Sequence, residues 1–177
     1  MLSAFSAISA VKDYEAAIWC KIMNETSPLQ DRLHPEAPIR HCYGCGADNV
    51  NGLKIKSFLE GDEAVSRWRP KTHHCSYPGY LNGGVACTLI DCHSAWTAFA
   101  LECREQGVDM ERQSDLPTGW TRAMSVEFLK PTPLDTEITL RAKVVKKGRT
   151  SRTVDCSLYA DNEECVRAQV TIVMSGA

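Results

Sequence analysis

The segment GGVACTLIDCHSAWTAFALECRE, residues 83–105, constrains the fold more than any other part of the chain. Its apolar residues recur at the period of an α-helix for roughly six turns. Asn82 precedes it and is of a type that caps helices, because its side chain accepts from the first free backbone N–H groups. An apolar stripe faces one side, and we expect it to pack into a sheet: Val85, Leu89, Cys92, Trp96 and Phe99.

Alternating apolar and polar residues predict antiparallel strands on both sides of this helix. LKIKSFLE and AVSRWRP precede it and flank a GD turn, which is typical of a hairpin. TRAMSVEFLKP, ITLRAKVVKKG, RTSRTVDCSLYAD and ECVRAQVTIVM follow it. One antiparallel sheet must wrap the long helix to bury its apolar face, so the sequence predicts an α+β fold.

The first 41 residues differ from the rest and are predicted to be an N-terminal helix and a connecting strap. Apolar residues recur at helical spacing over residues 1–22, without the basic start of a signal peptide. Residues 24–41 contain three prolines and many polar groups, which favours an irregular surface strap. Residues 42–177 are predicted to form the single folded domain.

Charge and cysteine content narrow the classes of function. The chain has 20 Lys and Arg against 22 Asp and Glu, a net charge of -2, so it lacks the basic field expected of a nucleic-acid or membrane binder. Its nine cysteines are odd in number and several lie within apolar segments. These features predict a cytoplasmic protein with free thiols.

Asp91 lies inside the apolar helix, where an ionised carboxylate is costly without partners. It belongs to a second face, a small-residue stripe of Gly84, Thr88, Asp91, Ala95 and Ala98, which a thin ligand or another backbone can approach closely. Asp91 is either an ordinary surface or paired carboxylate, or a catalytic one in a cleft.

The glycine pair at the start of the helix bears on this choice. Gly83 and Gly84 either make a tight turn or offer unhindered N–H groups to a carbonyl oxygen that becomes anionic. Gly83 and Asp91 are eight residues apart, which is roughly 12 Å along a helix and too far for both to serve one carbonyl carbon. A catalytic role therefore requires a homodimer in which Gly83 of each chain faces Asp91 of the other.

Four segments resemble the hotdog-fold acyl-CoA thioesterases of the phenylacetic-acid-pathway type. NGGVACTLIDCHSAW is similar to their His-Gly-Gly motif and the helix with Asp or Glu that follows it. CYGCGADNVNGL resembles their C-x-x-C-G-x-x-N-x-x-G-L opening, and HHCSYPGYLNGG resembles the loop before the helix. VEFLKPTPLDTEITLRAKVVKKGR resembles their strand pair after it.

The resemblance implies a hotdog fold, a homodimer or homotetramer, and hydrolysis of an acyl-CoA or related thioester. It makes Asp91 the general base or nucleophile and Gly83 the donor to the thioester carbonyl. Asn82 stands where the family has His; it can cap the helix and bind a carbonyl or water but cannot exchange a proton near neutral pH. Gly84, Ser76 and Thr88 are expected to contact substrate. No metal and no cofactor are expected, coenzyme A being part of the substrate.

Several alternatives stay open at this stage. A non-catalytic hotdog module could bind an acyl or aromatic ligand, and a dimer could be purely structural. A zinc site can be drawn from Cys42, Cys45, His73, His74 and Cys75, but a second C-x-x-C pair is missing, and we expect the two cysteines instead to fill a tight turn before the first strand. The basic turn VVKKGRTSRT is either a solvated hairpin or a contact for coenzyme A phosphates.

Overall fold

A computed structural model describes residues 27–112 and 116–175 as one antiparallel sheet around one long helix. The predicted α+β fold is confirmed. The predicted N-terminal helix lies outside the described residues. In chain order the elements are β1 (Ser57–Glu60), β2 (Glu63–Trp68), α1 (Gly83–Gln106), β3 (Thr118–Phe128), β4 (Ile138–Lys147), β5 (Ser151–Ala160) and β6 (Glu163–Ser175).

The sheet has the strand order β1-β2-β4-β5-β6-β3, and every neighbouring pair is antiparallel. This order leaves β1 and β3 at the two edges. β3 pairs along its length with β6, and a register shift between Thr121 and Ala123 makes Arg122 a bulge residue. No helix in the described part of the chain is long and apolar enough to cross a membrane.

The strap before β1 contributes to the core, in contrast to the surface position expected of it. It contains two short 3-10 helices, Leu29–Arg32 and Pro38–His41. Leu29 is fully buried, and the amide of Gln30 donates to Ser57 Oγ at 3.1 Å. The boundary between residues 41 and 42 stays a prediction.

Helix α1 is covered on more than one side, so the predicted apolar stripe does not face the sheet alone. Cys92 of that stripe contacts Cys42 from the loop before β1, with their sulfurs 3.8 Å apart. The neighbouring His93 instead faces β1 and β2. The loop and the sheet each cover a part of the helix surface. The helical period of the sequence shows which residues are apolar but not which of the two elements covers them.

His93 is a buried structural residue. Its side chain is fully buried; Nε2 lies 3.0 Å from the Ala64 carbonyl and Nδ1 lies 2.9 Å from Ser57 Oγ. A carbonyl cannot donate, so Nε2 carries the proton and Nδ1 accepts from the serine hydroxyl. Burial lowers the pKa of His93 to about 4, although the hydrogen bond to Ala64 opposes that shift.

We expect His93 to make the folded state sensitive to acid. The unfolded chain binds this proton at its ordinary pKa of about 6.5, whereas the folded chain binds it only near pH 4. The contribution of His93 to the free energy of unfolding is therefore fully present above about pH 6.5. It is lost as the pH falls, and the free energy of unfolding decreases by about 2 kcal/mol between pH 7 and pH 5. Urea unfolding at both pH values measures the loss.

The matched variants are His93→Gln, which removes the buried imidazole, and His41→Gln, which removes an exposed one. The first should flatten the pH dependence of the free energy of unfolding, and the second should leave it as in the wild type. An unchanged slope in His93→Gln would show that other groups cause the acid sensitivity.

Candidate active site

Asn82 caps helix α1 and thereby leaves one backbone donor free at its start. The Asn82 side-chain oxygen accepts from the N–H of Gly84 at 2.8 Å and from that of Val85 at 3.3 Å, and the Asn82 carbonyl accepts from Ala86 N–H at 3.1 Å. No acceptor for the N–H of Gly83 is found among the described residues. This N–H points from the positive end of the helix and is available to a ligand oxygen.

Gly83 lies beside the side chain of Phe128, the last residue of strand β3. A Cβ built on Gly83 would be 3.4 Å from the ring of Phe128, which is an ordinary to close contact. Phe128 is itself 56% exposed, so its ring forms an open wall beside the free amide rather than a closed lid. A flat group such as a thioester can reach this amide from the exposed side.

Asp91 lies two turns further along the helix and also faces β3. It is half-buried, and the hydroxyl of Thr121 donates to its Oδ1 at 2.5 Å. The small-residue stripe is open over most of its length, since Gly84 is exposed and Thr88, Asp91 and Ala95 are half-buried, whereas Ala98 at its far end is buried. The carboxylate is thus polarised by one hydroxyl and remains open to water.

Thr121 is a residue that the sequence analysis missed. Strict alternation along β3 from Met124, Val126 and Phe128 places Thr121 on the opposite face. The bulge at Arg122 adds one residue and returns Thr121 to the helix side. Nothing in the local sequence announces that bulge.

Strand β3 has a long edge beside the site that pairs with no strand among residues 27–112 and 116–175. All but one of its residues are exposed, including apolar ones that proteins normally cover: Trp120 (63% exposed), Met124 (37%) and Phe128 (56%). A free edge of 11 residues is also a template for pairing with another strand.

The predicted site residues separate into two groups within one chain. Asn82, Gly83 and Gly84 lie together at the helix start, where the Ser76 hydroxyl donates to the Leu81 carbonyl at 3.4 Å. Thr88 donates to the Gly84 carbonyl at 2.9 Å, so its hydroxyl is engaged with its own helix. Asp91 is eight residues beyond Gly83, roughly 12 Å along the axis.

The predicted zinc ligands and the predicted contact for coenzyme A phosphates differ from what the structure shows. Cys42 and Cys45 come together with Cys92, and His73, His74 and Cys75 are not part of that cluster. In the basic turn, Arg152 is buried and donates to Glu102 at 2.5 Å, so it is not free to meet a phosphate.

Comparison with known proteins finds similarity to thioesterases. The family model of the acyl-CoA thioesterase N-terminal domain matches residues 94–173. This match covers the second half of α1 and the strands after it, and Asn82, Gly83 and Asp91 lie before its start. A search of curated proteins finds no match.

Three solved structures are similar over most of their own length. A thioesterase superfamily protein from Shewanella loihica is 29% identical, with 75% of this chain and 92% of that one covered and a TM-score of 0.57. A hypothetical thioesterase from Streptococcus pneumoniae, solved with coenzyme A, is 22% identical, with 67% and 85% covered and a TM-score of 0.56. A phenylacetic acid degradation-related protein from Ralstonia eutropha is 18% identical, with 68% and 85% covered and a TM-score of 0.57.

The family match and the shared fold agree with the resemblance found in the sequence. They confirm the hotdog architecture, a sheet wrapped around one long helix, and they favour thioester hydrolysis over the other activities considered. The chain has the hotdog fold, and its similarity to acyl-CoA thioesterases over residues 94–173 supports thioester hydrolysis as its activity.

Proposed function

We propose that the protein hydrolyses acyl-CoA thioesters at two equivalent sites, each built from two copies of the chain. The observation that carries the proposal is the free N–H of Gly83 and the half-buried carboxylate of Asp91 on one open helix face. Roughly 12 Å separates them along α1, so one chain cannot place both on the same carbonyl carbon.

An antiparallel pair of α1 helices resolves this distance. If the helices of two chains lie side by side about a two-fold axis, Gly83 of one faces Asp91 of the other, twice. The small-residue stripe allows the close approach that such a pair requires. The exposed edge of β3 lies next to this stripe, and its pairing with the same strand of a second copy would cover Trp120, Met124 and the unpaired backbone groups.

Each residue then has a distinct chemical task. The Gly83 N–H binds the thioester carbonyl oxygen and stabilises the negative charge that develops on it. Asp91 of the partner chain takes a proton from water, whose oxygen attacks the carbonyl carbon, or attacks that carbon itself. With water as the attacking group, the carbon–sulfur bond breaks, the acyl group leaves as a carboxylic acid, and the thiolate takes up the proton from Asp91. With Asp91 as the attacking group, the same bond breaks to leave an acyl anhydride on Asp91; water hydrolyses the anhydride to the carboxylic acid and free Asp91, and the thiolate takes up one of the protons. Thr121 orients the carboxylate through its hydrogen bond.

Coenzyme A is the thiol carrier that the comparisons favour. The matching family is described as acyl-CoA thioesterase, and the similar structure from Streptococcus pneumoniae was solved with coenzyme A. Asn82 fits this scheme as a cap and positioning residue, since its oxygen accepts from Gly84 and Val85 and its amide N–H groups, without an acceptor among the described residues, can donate to a carbonyl or water.

A thioesterase assay on short, aromatic and long acyl-CoAs, following release of the free thiol, tests the activity. The mass of the protein in solution, measured in parallel, should be at least twice the 19.6 kDa of one chain. Turnover of at least one acyl-CoA by an oligomer is the expected result. Failure to hydrolyse any of them would favour the non-catalytic binding module, and turnover by a monomer would exclude the shared site.

Asn82 should contribute to stability independently of catalysis. Asn82→Ala removes the cap from the N–H groups of Gly84 and Val85 and should lower the free energy of unfolding by about 1 kcal/mol. Asn82→Asp retains an acceptor oxygen and should cost less. Urea unfolding compares the variants, and equal losses for Ala and Asp would show that the cap is not the source. Asn82→His, measured in the thioesterase assay, tests whether a titratable group at this position raises the rate of hydrolysis.

A further inference from the structure

Three cysteine thiols from two distant parts of the chain meet beside the central helix. Cys42 and Cys45 lie in the loop before β1, and Cys92 lies on α1. Their Sγ atoms all lie within 4.8 Å of one another, and those of Cys42 and Cys92 are 3.8 Å apart. All three are free thiols; Cys45 and Cys92 are buried and Cys42 is half-buried.

The loop is shaped to bring its two thiols to this point. Gly44 lies so close to the helix that a Cβ on it would be 2.3 Å from Cys92 Sγ. Gly46 donates its N–H to the Cys42 carbonyl at 2.9 Å, and a Cβ on Gly46 would be 2.4 Å from the Arg40 carbonyl oxygen. Two glycines are thus required for one tight turn that carries a Cys-x-x-Cys pair onto a helix.

We propose that Cys42, Cys45 and Cys92 bind one Zn²⁺ ion through their three sulfurs. Thiolates on one tetrahedral zinc with Zn–S bonds of about 2.3 Å lie about 3.8 Å apart, which is the separation of Cys42 and Cys92. The Cys-x-x-Cys spacing is typical of zinc ligands. Each thiol binds as a thiolate, so binding releases the thiol protons, and the half-exposed side of Cys42 leaves the fourth position to water.

This site differs from both expectations drawn from the sequence. It replaces His73, His74 and Cys75 by a helix cysteine, and it revises the expectation that no metal is bound. The ion would fasten the loop to the helix turn next to Asp91. Its expected effect is to stabilise the contact between the loop and α1 and to hold that helix turn in place. The proposal does not depend on thioesterase activity.

Metal content and cobalt spectroscopy of the full chain test the proposal. Protein purified with a phosphine reductant and without chelators should contain one zinc per chain by elemental analysis. After removal of zinc, Co²⁺ should produce the sulfur-to-cobalt charge-transfer band and the strong visible bands of a tetrahedral site. Cys42→Ser and Cys92→Ser should weaken binding by more than about 100-fold, beyond the effect of losing an outer-shell partner.

The control is Cys75→Ser, which removes an exposed thiol outside the cluster and should bind like the wild type. Circular dichroism establishes that each variant folds. The wild-type titration needs no variant: absence of the charge-transfer band in reduced, folded wild-type protein would overturn the proposal. Binding that Cys75→Ser loses and Cys92→Ser retains would overturn it as well.

Discussion

Asp91→Asn should lower kcat/KM for the preferred acyl-CoA by about 10²–10⁴-fold, the usual contribution of a positioned acid or base. The substitution keeps the size of the side chain and an oxygen that can accept from Thr121. It removes the negative charge that takes the proton from water or attacks the carbonyl carbon. Because Asp91 is half-buried with one side-chain partner, the melting temperature should change little.

Asp155→Asn is the matched control for this variant. Asp155 is an exposed carboxylate on β5 that accepts from Gln169 at 3.0 Å, so it has one side-chain partner as Asp91 does. Its replacement should leave kcat/KM unchanged. Steady-state kinetics over a range of acyl-CoA concentrations gives both values, and full activity in Asp91→Asn would remove Asp91 from the mechanism.

The fold could be predicted because the sequence patterns that determine its helices and strands each lie within a short segment. The α-helical period over residues 83–105 and the alternation in the six strands are each carried by neighbouring residues. The capping role of Asn82 is equally local, since its oxygen reaches the N–H groups of Gly84 and Val85. Element type and order follow from such patterns, as does the need for a sheet to wrap an apolar helix.

The parts that could not be predicted depend on contacts between distant residues. Cys42 and Cys92 are 50 positions apart, and no spacing rule brings them together. Thr121 reaches Asp91 only because a bulge shifts the register of β3. The Gly83 and Asp91 motif was found by spacing, but spacing along one helix could only show that a single chain is insufficient.

Gly83→Pro should lower kcat by about 10²–10³-fold, because it deletes the N–H that we assign to the carbonyl oxygen; such a donor contributes about 2.7–4 kcal/mol. Proline suits this position, since Gly83 is the first helical residue and its amide lacks an acceptor among the described residues. Asn82 precedes it with φ of -67° and ψ of 131°, the extended conformation that proline requires of its predecessor. The helix should therefore remain intact.

Gly83→Ala is the matched control, because it adds a Cβ and keeps the N–H. The new methyl group would lie 3.4 Å from the Phe128 ring, which is exposed and free to move slightly. Most of the activity should survive in this variant. If Ala and Pro lowered kcat equally, the side chain rather than the N–H would be the cause, and the assignment of the oxyanion donor would be wrong.

Mixing the two inactive variants tests whether each site is shared. In a dimer of one Asp91→Asn chain and one Gly83→Pro chain, one site has lost both groups and the other retains intact Asp91 and Gly83. Random exchange of equal amounts makes half of the dimers mixed, so activity should return to about a quarter of the wild-type value. Mixed dimers isolated through two affinity tags should reach about half. A site contained within one chain would give no recovery, because every chain in the mixture is defective.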